Sequence, residues 1–234
     1  MFDSLHQLDN EILLQLNGET TPFWDAFMWG VSAKETWAVM YISLLFVLWR
    51  NFSFKTAFIV LATICLTITF TDQVCASLIR PMVERLRPSQ LENPISEYVY
   101  IVHGYRGGRY GFPSCHSANS FGLAFMIILL IRNKLLGATL LSWACLNSYS
   151  RIHLGVHYLG DILCGMIVAL VGSLLIYTIL KRLFHMKTLQ TVTGATNQDI
   201  DLINSRKNFD RCLVPIAVMF LTVIAIAAYA QITK

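Results

Sequence analysis

His157-Tyr158-Leu159-Gly160-Asp161 runs straight into Ile162-Leu163-Cys164-Gly165-Met166-Ile167-Val168-Ala169-Leu170-Val171-Gly172-Ser173-Leu174-Leu175-Ile176-Tyr177-Thr178-Ile179-Leu180, nineteen residues without a charge. A helix rises about 1.5 Å per residue, so this run covers most of a ~30 Å hydrocarbon layer. An imidazole and a carboxylate stand at its start, and Lys181-Arg182 at its end. The segment 157–184 therefore reads as a membrane-crossing helix with polar chemistry at one mouth. That reading sets the fold class: all-α, in a bilayer.

Composition agrees. Of 234 residues, 55% are hydrophobic and 14% charged, with a mean hydropathy of +0.55; soluble domains are nearer about 25% charged. Further spans are expected at 36–50, 54–79, 117–132, 134–152 and 211–231, giving a six-transmembrane helical bundle. Residues 2–16 space Phe2, Leu5, Leu8, Ile12, Leu13 and Leu16 at helical intervals, with Asp3, Gln7, Asp9 and Glu11 between them. They read as an amphipathic helix lying at the interface, ended by Asn17-Gly18. Pro22-Phe23-Trp24 opens a second, partly apolar stretch, interrupted by Lys34 and Glu35, which is expected to be interfacial or re-entrant. Residues 185–210 are polar and read as a loop. The whole of 1–234 is expected to form one integral membrane domain. The first residues lack the basic and apolar regions of a signal peptide, so insertion is expected to depend on the internal spans.

Net charge is +4, with no basic block of the kind that tracks a nucleic acid. The six cysteines, Cys65, Cys75, Cys115, Cys145, Cys164 and Cys212, form no CxxC pair and no metal-ligand spacing. Six spans place loops 80–116 and 150–157 on the side of both termini. The opposite side then carries Arg50, Lys55, Arg132, Lys134, Lys181, Arg182, Lys187, Arg206, Lys207 and Arg211. The loop side holds Lys34, Arg80, Arg85, Arg87, Arg106, Arg109, Arg151 and Lys234. Cations favour the cytoplasm, so the loop side is expected to face outward.

Three clusters at span ends fall on that side: Arg80 to Pro88; Gly111-Phe112-Pro113-Ser114-Cys115-His116; and Ser150-Arg151 to Asp161. Arg80 and Arg87, seven apart, would share a helix face. Arginine presents a fork matched to phosphoryl oxygens. A helix starting after Pro113 leaves free N–H groups and a dipole that favours an anion, and Ser114 adds a donor. His157 and Asp161 at i, i+4 would let the carboxylate fix one imidazole tautomer and leave the other nitrogen nucleophilic. His116 is a second imidazole, available as a general acid.

Together these clusters resemble the signature of the type 2 phosphatidic acid phosphatase family, written K-x6-RP, PSGH and S-R-x5-H-x3-D. Leu16-Asn17-Gly18, Pro22 and Asp25 are also similar to small bacterial members. The resemblance implies a lipid phosphatase without metal or other cofactor. His157 would form a phosphohistidine, oriented by Asp161; His116 would protonate the leaving oxygen. Arg80, Arg87, Ser114, the Cys115 amide and Arg151 would hold the phosphoryl group. Arg80 departs from the usual Lys and keeps the charge. Cys115 departs from the usual Gly, at a cost if that position needs a positive φ, and its thiol could confer sensitivity to oxidants or soft metals. Among family substrates, the resemblance to bacterial members suggests undecaprenyl diphosphate, a lipid A phosphate or phosphatidylglycerol phosphate for a bacterial inner-membrane protein, and the first two best suit a site facing the periplasm. Phosphoryl transfer between lipids, or an inactive scaffold or transporter, are the alternatives. The spans argue against the soluble vanadate-using haloperoxidase branch of the family.

Other polar residues read as bystanders or as structure. His6, His103, His153 and His185 have no assigned role. Arg106-Gly107-Gly108-Arg109 is either a headgroup contact or a solvated loop. Asp72 is expected at the interface or paired with a motif arginine. Gly165, Ala169 and Ser173 have the spacing of a helix-packing face.

Overall fold

In the computed structural model, residues 2–18, 21–183 and 206–233 are described. Residues 185–205 of the expected polar loop, with His185 and Lys187, lie outside them, as do Lys234 and the side chains of Arg206 and Lys207. Among the described residues every regular element is helical. They are α1 (Phe2–Leu16), α2 (Pro22–Ser32), α3 (Ala38–Asn51), α4 (Phe54–Gln73), α5 (Arg80–Val83), α6 (Cys115–Ile131), α7 (Lys134–His153), α8 (Leu159–Leu183) and α9 (Arg206–Ile232).

The boundaries follow local chemistry. Ser53 and Asn133 cap α4 and α7 by accepting the N–H groups of Thr56 and Leu136. Pro22 opens α2, where its missing N–H costs nothing. A turn at Lys34–Trp37 joins α2 to α3 with a bend of 65°, braced by the Trp37 indole N–H donating 2.8 Å to the Val31 carbonyl. The stretch expected to be interfacial or re-entrant is helix α2, which buries Phe27, Met28 and Val31 and hinges onto α3 at the bend that a re-entrant turn or a broken span requires. A π-helical turn, Val74–Ile79, carries α4 into α5.

Among the described residues, three helices are long and apolar enough to cross a membrane: Phe54–Val83, Leu159–Arg182 and Arg211–Ile232. The bent pair Pro22–Ser32 with Lys34–Asn51 makes a fourth if it is one span, and α6 is a shorter apolar helix. Thr63 and Thr67 donate to the carbonyls of Ile59 and Thr63, and Thr71 to that of Ile68, so these buried threonines of α4 satisfy their hydroxyls within the helix. The core runs through Val31, Trp37, Met40, Met126, Leu136, Leu140 and Trp143. Large apolar side chains such as Trp49, Phe58, Ile167, Phe220 and Ile224 face outward, as lipid contact requires.

The centre of the bundle is the α6–α8 pair. A Cβ on Gly165 would come within 2.6 Å of the Ser114 carbonyl. Ala169 and Ser173 are fully buried below it, and Ser173 donates to the Gly122 carbonyl at 3.5 Å. The small-residue stripe packs helices, as its spacing indicates. This close approach brings the starts of α6 and α8 together, where the site lies.

Candidate active site

His157 occupies the turn between α7 and α8. Gly155 takes φ +73° there, and the Val156 N–H donates 3.1 Å to the Arg151 carbonyl. Because α8 begins at Leu159, His157 precedes the helix, and the expected pairing across one helical turn is replaced by a reach-back. Asp161, in the first turn, accepts through Oδ2 from His157 Nδ1 at 3.1 Å and from the Tyr158 N–H at 3.1 Å. Its Oδ1 accepts from Arg85 Nη1 at 3.1 Å. Both oxygens are surrounded by donors, and the carboxylate is fully buried. The Nδ1–H tautomer follows, with the Nε2 lone pair left free for chemistry.

That lone pair faces Arg87, whose Nη1 lies 2.8 Å from Nε2. Spacing suggested that Arg80 and Arg87 share a helix face. Instead Glu84 adopts φ 48° and ends the helix, so Arg87 enters from the following loop. This loop is pinned: Arg87 N donates to the Arg109 carbonyl and Gly111 N to the Arg85 carbonyl. Ser89 and Gln90 side chains donate to carbonyls of 106–108, and Arg109 pairs with Glu92 at 2.8 Å. The Arg106-Gly107-Gly108-Arg109 segment is therefore pinned rather than loose, and it is the strap that holds Arg87.

Arg151, on α7, donates to Ser32 Oγ. Arg80 donates from Nη2 to the Pro113 carbonyl at 2.9 Å and to Cys115 Sγ at 3.0 Å. None of Arg80, Arg87 and Arg151 forms an ion pair among the described residues, and the Nε–H of each is buried without a partner. Burial, with Arg151 and Arg80 nearby, brings the Arg87 guanidinium down to about 10, still charged at neutral pH. Three cations converging with unspent donors form a cup for a multiply charged anion with several oxygens, which is what a phosphoryl group offers.

The α6 N-terminus adds to the cup. Ser114 caps it, accepting from the Ser117 N–H, while its own N–H donates to the Asp161 carbonyl at 3.0 Å. The Ala118 N–H is spent on the Ser114 carbonyl, which leaves the Cys115 and His116 amides for an anion. Cys115 is not among the residues with positive φ. The backbone penalty considered for a side chain there does not arise, because the residue is an ordinary first helical position. His116 is exposed and lines a cavity. Arg80, Arg87 and Arg151 bear electrostatically on His116 and on His157 alike, so the two imidazoles share one cationic environment. Among the described residues, no three His, Cys, Asp or Glu side chains stand so as to hold a metal ion.

Burial foremost, then the charges of Arg87 and Arg151, holds His157 well below the ordinary histidine range. Its ring is the neutral, nucleophilic form at physiological pH.

Spacing alone did not reveal Arg85, which pairs with Asp9 at 2.8 Å as well as with Asp161 and stacks 3.8 Å over the Tyr158 ring. Gly111 was also missed: a Cβ there would lie 3.0 Å from Arg87 Cγ and 3.1 Å from Asp161 Oδ2. Gly111→Ala is expected to lower turnover at least about tenfold while the protein still folds, because overpacking of this size costs about 1–3 kcal/mol. Comparing kcat and thermal stability of the purified variant checks this. His153, read as a bystander, is buried and bonded to Asp25 at 3.1 Å, with Tyr100 donating 2.5 Å to the same carboxylate. Asp72 accepts from Asn119 at 2.9 Å and forms no ion pair with a motif arginine.

Comparison with known proteins gives four likenesses. Residues 57–185 match the family model described as the PAP2 superfamily. A protein of Bacteroides thetaiotaomicron named lipid A 4'-phosphatase is 49% identical over 183 residues, 78% of this chain and 81% of that one. A protein of the same name from Porphyromonas gingivalis is 37% identical over 173 residues, 74% of this chain and 73% of its own. In fold, the crystal structure of Aquifex aeolicus LpxE superposes with a TM-score of 0.56 at 21% identity, covering 72% of this chain and 93% of the other.

Proposed function

The chain belongs to the PAP2 superfamily, and on that premise we propose that it removes the 4'-phosphate of lipid A through a phosphohistidine on His157. It is a lipid phosphate phosphatase; the choice of lipid A among lipid phosphates is supported by the names of its relatives. The observation that carries the chemistry is that Arg87 lies on Nε2 of His157, with Arg80 and Arg151 close enough to act on the same imidazole and no carboxylate among the described residues paired with any of the three.

A lipid, rather than a soluble ester, is favoured by the cavity that opens at His116. It holds about 500 Å³ and runs between α3, α4, α6 and α7 past Tyr41, Leu44, Leu48, Ile64, Leu123 and Ile127. It follows α6 from His116 to Ile131, about 22 Å at the helical rise. An acyl chain lying there would put its headgroup at the arginines.

In the first step Nε2 attacks phosphorus, the P–O bond to the lipid breaks, and His116 gives its proton to the departing oxygen. The substrate's negative charge is what lets His116 hold that proton among Arg80, Arg87 and Arg151. Arg87 must release Nε2 as the phosphate enters and then bind the phosphoryl oxygens. With Arg80, Arg151, Ser114 and the Cys115 amide, it offsets charge in the transition state. His116 then takes a proton from water, the water oxygen attacks phosphorus, the P–N bond breaks, and phosphate leaves with His157 restored.

Six crossings accommodate this site: the bent α2–α3 pair, α4–α5, and α6 to α9, with α1 flat at the interface. Arg50, Lys55, Arg132, Lys134, Lys181 and Arg182 gather at helix ends away from the site, which supports a cytoplasmic placement for them and a periplasmic one for the site.

The test is phosphate release by purified protein, without added metal, from bisphosphorylated lipid A, undecaprenyl diphosphate and phosphatidylglycerol phosphate. Loss of the 4'-phosphate from lipid A, at least tenfold faster than release from the other two, is expected. Preferential cleavage of another lipid overturns the substrate, and a new phospholipid in place of free phosphate overturns hydrolysis.

A further inference from the structure

We propose that Asp9, on the N-terminal helix α1, is a positioning residue for phosphate cleavage, acting on His157 through Arg85 and Asp161. The inference rests on the phosphatase reading and extends it to a helix outside the matched residues 57–185. Asp9 Oδ2 pairs with Arg85 Nη2 at 2.8 Å, and its Oδ1 accepts the Gly160 N–H at 2.9 Å. Arg85 Nη1 reaches Asp161 Oδ1 at 3.1 Å, and Asp161 Oδ2 holds His157 Nδ1. The Asp9 and Arg85 side chains are each only 12% exposed, so water screens this chain of charges weakly.

Helix α1 is fixed at two more points. Leu13 is fully buried against Val99, Ile152, Tyr158 and Ile162. Asn17 donates to the carbonyls of Tyr100, Ile152 and His153 and accepts the Tyr100 N–H at 2.8 Å. These contacts grip the end of α7, just ahead of the His157 turn, while Asp9 grips the start of α8 just after it. The helix therefore clamps the turn that carries the nucleophile.

Charge gives Asp9 a role beyond packing. Arg85 sits between two carboxylates. With Asp9 neutralised, its whole charge falls on Asp161 and draws that carboxylate away from His157. The groups facing His157 are Asp161 from α8, Arg87 from the strap, Arg151 from α7, His116 from α6 and Arg80 from α5. Within this cationic set the Asp9 charge, relayed through Arg85, supports proton affinity at His157. Its loss lowers that affinity, so the pH at which activity falls off on the acid side moves down.

The experiment compares wild type with Asp9→Asn, Asp9→Glu and Gly160→Ala by kcat, KM and acid limb on one lipid phosphate. Asp9→Asn is expected to lose about tenfold in kcat, as supporting residues around an oriented imidazole do, with KM within twofold and the acid limb at lower pH. Asp9→Glu should recover most of kcat. Gly160→Ala keeps the charge but puts a Cβ 2.6 Å from Asp9 Oδ2, so it should lose kcat as Asp9→Asn does. If Asp9→Asn does not fold, Gly160→Ala decides. Wild-type kcat and an unmoved acid limb in either variant overturn the proposal. An inactive wild type would instead refute the phosphatase reading.

Discussion

His157→Ala is expected to release phosphate on the order of 10⁵-fold more slowly than wild type, with its helices and thermal stability largely retained. Removing a covalent nucleophile costs about this much, because what survives is only binding and charge stabilisation. One nitrogen of His157 is free to attack. Nδ1 is committed to Asp161 and Nε2 faces Arg87; the other nucleophiles near the cup are His116 at its rim and the Cys115 thiol, which is held by Arg80. The His157 turn is held by its own backbone and by the strap, so the alanine variant keeps the cup and should still bind the substrate. Loss of kcat with KM within a few-fold, measured by phosphate release on protein of unchanged melting temperature, is the expected pattern. A variant retaining even a hundredth of wild-type kcat would mean that His157 is not the attacking group.

Asp161→Asn is expected to come next, with a loss of about 10³–10⁴ in kcat, the size seen when an imidazole is left in the wrong tautomer. Asp161 receives donors on every side: His157 Nδ1–H, the Tyr158 N–H and Arg85. An amide must turn its NH₂ toward one of them. If the NH₂ faces Arg85, two donors meet in a buried site. If it faces His157, the imidazole turns over its tautomer and carries its proton on Nε2, where Arg87 also donates. The second arrangement loses the lone pair at Nε2, and the first keeps it only against a buried donor–donor clash with Arg85. Stability should fall much less than activity, since Arg85 keeps Asp9 as a partner at 2.8 Å. A kinetic assay beside a thermal melt separates the two. A large loss of both would make Asp161 a folding residue first.

Much of the helix pattern was legible because apolar runs of membrane length have few other uses. The run 157–184 became α8, and 134–152 became α7, each within two residues of the expected bounds. What composition could not convey was the bend at Lys34–Trp37 and the end of α5 at Glu84. Both depend on tertiary braces, the Trp37 indole on Val31 and the strap on Arg87. Arg87 thus came to the site by a route its heptad spacing did not predict. The residues assigned to phosphate binding gather in one place, yet the ones that aim them were hidden. Arg85 looked like one cation among several, and Asp9 like the polar face of an interfacial helix. Arg85 is 76 residues from Asp161 and as far from Asp9, and nothing local in these segments announces the pairing.

The most direct measurement is a rapid alkaline quench of a single turnover with phosphorus-labelled lipid, followed by mapping of the protein-bound label. An acid-labile phosphate on Nε2 of His157, forming before free phosphate appears and absent from His157→Ala, is expected. Label on another residue, or release of the dephosphorylated lipid and phosphate together with no labelled protein at any time, would contradict attack by this nitrogen.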